Sequence, residues 1–125
     1  MHIAFPRYLV ALYFAVSVVA CASAPKTPRQ YFAATYQLIG ATSDSVVALA
    51  QAGHITRAEG LGMHAKLETA KTYTDEGRKI LQCREAIKAA AEADVKCGPV
   101  GMADSYGAMA RGLINQIQLL VEGAK

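Results

Sequence analysis

The most reactive side chains of this 125-residue chain are its three thiols, Cys21, Cys83 and Cys97. Cys83 and Cys97 stand 14 positions apart, with no Cys-x-x-Cys spacing to suggest disulfide-exchange chemistry. On one continuous helix they would lie about 21 Å apart at 1.5 Å per residue, whereas a disulfide needs Cα atoms within about 7 Å. A straight helix therefore predicts two separate thiols. An intramolecular bond demands a break before Cys97, and an intermolecular bond is the third arrangement. His64 and Glu68 fall at i and i+4, with His54 in a nearby turn. A zinc site needs three or four ligands, so these are read as solvated polar side chains and no metal is expected. The acidic pairs Asp75-Glu76 and Glu92/Asp94 could do acid–base work, yet Arg78, Lys79, Lys88 and Lys96 stand at helical spacing from them. Surface ion pairing accounts for them. Ser43 and Ser45 lack a Gly-x-Ser-x-Gly elbow, and the chain has no phosphate-binding glycine loop. No catalytic residue is predicted, and the chain is read as non-enzymatic.

Cys21 belongs to a different chemistry, set by what precedes it. Arg7 is the only formal charge before Lys26, and residues 9–20 are 12 apolar or small positions in a row. That fits the roughly 7–15 residues of a signal-peptide core better than the 20 or so of a membrane-spanning helix. The whole uncharged run, residues 8–25, is 18 long, so length alone leaves an uncleaved anchor open. Cleavage near Ala22-Ser23-Ala24 is another alternative. Val18-Val19-Ala20-Cys21 resembles the bacterial lipobox, an aliphatic residue and small residues before Cys. The resemblance implies cleavage between Ala20 and Cys21, a diacylglyceryl group on the Cys21 thiol and an acyl group on its new amine. No other cofactor is expected. Two or more chains give stable membrane attachment, where one holds only marginally. Ala22, in place of the Asp that marks inner-membrane retention in such proteins, implies the outer membrane, inner leaflet, facing the periplasm.

The elements after the anchor read as helices. Hydrophobic residues make up 53% and charged residues 18%, there is no Trp, and only three Phe occur. Such Ala-rich chains suit close-packed helices better than a β-sandwich. The net charge of +3 comes from interspersed signs and gives no nucleic-acid footprint. Residues 1–20 form the signal peptide, 21–26 a tether and 27–125 a helical domain. Thr27-Pro28-Arg29-Gln30 starts a first helix, about 28–52, with Phe32, Tyr36, Ile39, Val46 and Ala50 on one face and Gly53 as its stop. Thr56-Arg57-Ala58-Glu59 opens a second, about 57–96, with a weak segment at 72–77. Asp104 or Ser105 caps a third, about 104–122, carrying the stripe Tyr106, Met109, Leu113, Ile117 and Leu120, with Ala108 and Gly112 for close helix approach. The expectation is an all-α, three-helix, up-down-up arrangement with a long central helix. If that helix is straight the domain is a thin rod that favours self-association; if it breaks, a compact bundle results. Tyr31, Phe32 and Tyr36 are read as inter-helix packing, with contact to lipid or a partner protein as the sharper alternative.

The stretches 27–36 and 46–59, with their Thr-initiated helix and Ala-Gly-x-Ile-Thr turn, resemble small lipoproteins of proteobacterial genomes, prophages and phages. The resemblance covers roughly residues 1–90 and implies no activity and no functional residue beyond the acylated Cys21. It implies an envelope protein, tethered to the membrane by lipid, with an envelope protein partner, and in its most specific form one that alters the host surface to exclude a second phage. A lysis component akin to the lipoprotein half of a spanin is an alternative. Against it, residues 21–125 carry only Pro25, Pro28 and Pro99, where such subunits are Pro-rich. A general envelope-assembly lipoprotein is the other.

Overall fold

The computed structural model describes Pro25 and residues 27–125, and every described regular element is helical: α1 (Pro28–Gln51), α2 (Arg57–Ala86), α3 (Ala90–Cys97) and α4 (Val100–Ala124). The expected signal peptide, cleavage site and lipidation at Cys21 lie outside the described residues. Local chemistry sets the first boundaries. The Thr27 hydroxyl accepts from the Gln30 amide at 3.2 Å, and Pro28 occupies the first helical position, where its missing N–H leaves no orphan. At the other end the His54 amide bonds the Leu49 carbonyl at 3.0 Å and the Gly53 amide bonds Ala50 at 3.2 Å. Gly53 takes φ +76°, the left-handed turn that lets the chain reverse. Thr56 and Glu59 then close a reciprocal capping box, with bonds of 2.7 and 3.1 Å.

The long central helix expected over 57–96 is not continuous. α2 ends at Ala86, Ile87 is extended, and α3 begins at Ala90, so four helices stand where three were expected. The weak segment 72–77 stays helical. There the Thr72 and Thr74 hydroxyls bond the carbonyls of Glu68 and Ala70, four residues back, which threonine can do without leaving the helix. The last helix starts at Val100, just after Pro99, rather than at Asp104 or Ser105. Ser105 is an interior residue bonding the Gly101 carbonyl at 2.9 Å.

Contacts give the helix directions. Arg29 and Tyr36 of α1 meet Glu85 and Asp75 of α2, so α1 and α2 run antiparallel. Tyr31 and Thr35 meet Gly107 and Arg111 of α4, so α1 and α4 run parallel. All three long helices touch one another, and a rod with α1 and α4 at opposite ends of α2 is excluded. The main core joins Val46, Leu49, Ile55, Met63, Leu67, Ala70, Ala110, Ile114, Ile117 and Val121. Two expected faces need correction. On α4 the buried stripe is Ala103, Gly107, Ala110, Ile114, Ile117 and Val121, while Met109 and Leu120 are exposed and a Cβ on Gly112 would meet nothing within 4 Å. On α1, Thr35 and Thr42 are buried and Ala50 is exposed. Small residues line the inner face of α4 because an aromatic wedge from α1 needs the room.

Candidate functional site

That wedge is Phe32, 3% exposed, clamped between two glycines. A Cβ on Gly77 of α2 would sit 2.6 Å from the Phe32 ring, and one on Gly107 of α4 would sit 2.8 Å from Tyr31 and 3.5 Å from Phe32. The Tyr31 and Phe32 rings meet edge-on at 5.6 Å. The Tyr31 hydroxyl donates to the Gly107 carbonyl at 3.3 Å, and the Arg111 guanidinium lies 4.7 Å above the Tyr31 ring. Arg111 also donates through Nε to the Thr35 hydroxyl at 2.9 Å, and Thr35 donates to the Tyr31 carbonyl at 2.8 Å, so this fully buried hydroxyl is satisfied in both roles. Tyr36 donates to the Asp75 carboxylate and carries Arg78 over its ring at 5.4 Å. Burial, then the bond to Asp75, pushes the Tyr36 phenol up from 10.0 to about 12. The three aromatic residues of the first turns thus hold α1 to both neighbours.

Below the wedge, the start of α1 and the end of α2 are pinned by Arg29 and Glu85 at 2.6 Å. Cys83 and Cys97 form a disulfide, with Cα atoms 5.6 Å apart. Of the three arrangements open to these thiols, the intramolecular bond is the one present, and it comes with the break it demands: the interruption at residues 87–89 turns α3 back along α2 and brings the sulfurs together. Arg84 reinforces the same fold-back by pairing with Asp94 and donating to the Gly98 carbonyl at 2.8 Å. Gly98 has φ +91°, which a side chain would resist. Sequence reasoning missed Arg84 as the partner of Asp94. Its signal was present in the Cys83-Arg84 and Cys97-Gly98 neighbours, but only for a reader who had already joined the two cysteines.

The remaining candidates are ordinary surface groups. His64 and Glu68 stand 3.9 Å apart and are both more than half exposed, and among the described residues no cluster of three metal-binding side chains occurs. His54 is exposed in the turn. Glu76 pairs with Lys79 and Glu92 with Lys96, each at 2.7 Å. Glu76 is what raises the Lys79 pKa, and the Thr56 amide holds the Glu59 carboxyl low. Ser45 bonds the Ala41 carbonyl. Two grooves lie between α1 and α2. One of about 270 Å³ is lined by Arg29, Phe32, Tyr36, Arg78, Leu81 and Gln82. The other, about 320 Å³ and more apolar, is lined by Val46, Val47, Leu61, His64 and Leu67. In the first, Arg29 is engaged by Glu85 and Arg78 by the Tyr36 ring, so both cations already have partners. No family model, curated protein or solved structure matches the chain.

Proposed function

We propose that the chain is a lipid-anchored protein of the bacterial envelope whose helical domain acts in the periplasm as a non-enzymatic interaction or structural module. The observation that carries this reading is the Cys83–Cys97 disulfide, because such bonds persist in oxidising compartments and are rare where thiols are kept reduced. It agrees with the export segment read in residues 1–20 and with the lipobox ending at Cys21. The acidic groups weighed for catalysis also support it, since Asp75, Glu76, Glu92 and Asp94 each hold a neighbouring donor. The specific form is an outer-membrane lipoprotein of phage or prophage type that modifies the host envelope against a second infection. It rests on the lipobox Val18-Val19-Ala20-Cys21 and on the resemblance of residues 27–36 and 46–59.

Metabolic labelling with clickable palmitate tests the anchor. Label should appear on the wild type and vanish in Cys21→Ser, and precursor should accumulate under a lipoprotein signal-peptidase inhibitor. An unlabelled protein from which residues 1–20 are nevertheless removed overturns the anchor and the outer-membrane assignment. For the specific form, deletion of the gene should restore adsorption or DNA entry of related phages. Unchanged infection rejects it.

A further inference from the structure

The start of α1, the end of α2, all of α3 and the start of α4 meet at one end of the bundle. Arg29 pairs with Glu85, Cys83 is bonded to Cys97, and the Ala103 carbonyl stands 3.3 Å from where a Gly77 Cβ would be. At this end three apolar side chains face water within eight positions: Val95 at 87% exposed, Val100 at 54% and Met102 at 46%. Met102 lies against Gly98, its sulfur 3.4 Å from where a Cβ would stand, so it is continuous with the corner. Of the four acids here, Glu85, Glu92 and Asp94 are paired, with Arg29, Lys96 and Arg84, while Asp104 is exposed with no ion-pair partner among the described residues. Lys88 is exposed and has no ion-pair partner among the described residues, so its ammonium is the one cation of the corner without an ion pair.

We propose that this end of the bundle, the α2–α3 corner with Val95, Val100 and Met102, is a docking surface for the phospholipid bilayer. The proposal rests on the reading of Cys21 as the acylated anchor. Its occupant follows from the length of chain between that anchor and the fold. Seven residue steps separate Cys21 from Pro28, so the start of α1 can stand no more than ~25 Å from an acylated Cys21. The 24-residue α1 sets the opposite end of the bundle about 36 Å further along its axis. The tether therefore holds the Val95 end, and not the Leu119 end, beside the membrane. Tethering makes the contact intramolecular, and at that effective concentration a weak contact persists. Val95, projecting opposite the buried Ala93, and the aliphatic stem of Lys88 can enter the interface while the ammonium meets anionic headgroups.

Because the chain has no Trp, a single one reports its own surroundings. Val95→Trp and Leu119→Trp proteins, both at exposed positions, are expressed from the whole reading frame, purified from the cell envelope and reconstituted in vesicles of phosphatidylethanolamine with a minority of phosphatidylglycerol. Since an interfacial group sits about 5–10 Å into the headgroup and acyl boundary, lipid brominated near the glycerol end should quench Val95→Trp about twofold or more and shift its emission to the blue. Leu119→Trp should keep its emission. Vesicle-bound protein in which Val95→Trp is quenched no more than Leu119→Trp overturns the docking surface while leaving the anchor intact. Protein that fails to bind vesicles at all, with Cys21 unacylated, overturns the anchor reading and the docking surface with it. A blue shift in unlipidated Cys21→Ser, Val95→Trp protein that grows with protein concentration and not with lipid assigns the surface to a second copy of the chain, and also overturns the proposal.

Discussion

Replacing Gly77 by alanine should destabilise the protein, although the same replacement at Gly40 should stabilise it. Both glycines are interior to helices, so each alanine gains the helix-propensity difference of about 1 kcal/mol. At Gly40 nothing lies within 4 Å of the added methyl, and that gain stands alone. At Gly77 the methyl would meet the Phe32 ring at 2.6 Å and the Ala103 carbonyl at 3.3 Å. A free ring could swing away, but Phe32 is 3% exposed and backed by Gly107. Overpacking of this kind costs about 1–3 kcal/mol, which leaves a net loss of about 1 kcal/mol after the propensity gain. For a domain of about 100 residues that lowers the midpoint of thermal unfolding by about 4–8 °C. Urea and thermal unfolding followed by far-ultraviolet circular dichroism measure it. A background of Phe32→Leu, which vacates the ring edge, should turn Gly77→Ala neutral or stabilising, a coupling that only neighbours show. If Gly77→Ala is as stabilising as Gly40→Ala in the wild-type background, the wedge does not set the spacing of α1, α2 and α4.

Removing the disulfide by Cys83→Ser with Cys97→Ser should cost about 3 kcal/mol, the value for a closed loop of this length. It should also raise the helix signal, as residues 87–89 rejoin their helix-prone neighbours. An unchanged unfolding midpoint refutes the first expectation, and unchanged amide-exchange protection at residues 87–89 the second. Tyr36 predicts a pH dependence. Because its phenol is pushed from 10.0 to about 12 in the folded protein, its contribution to stability is complete below pH about 10 and is lost as pH rises through about 12. Tyr36→Phe should remove that part of the alkaline decline in urea stability; an identical decline in both proteins rejects the assignment.

What the sequence determined by itself is the chemistry of neighbours. The Thr27 cap, the Gly53 reversal and the Thr56–Glu59 box each satisfy helix-end groups with residues no more than a few positions away, so the two ends of α1 and the start of α2 were legible. The reading of Cys21 is local in the same sense, resting on the apolar run before it. The break at residues 87–89 was not legible. Residues 86–93 are mostly alanine, no Gly or Pro interrupts them, and local propensity there favours unbroken helix. A bond between residues 14 apart and the Arg84 contacts with Asp94 and Gly98 override it. The inner face of α4 was likewise a tertiary decision. Hydropathy favoured the side with Met109 and Leu120, but Phe32 enters from α1 and only Ala103, Gly107 and Ala110 leave space for it and its neighbours. Periodicity marks which residues prefer to leave water, whereas the shape of a partner helix decides which of them fit inside.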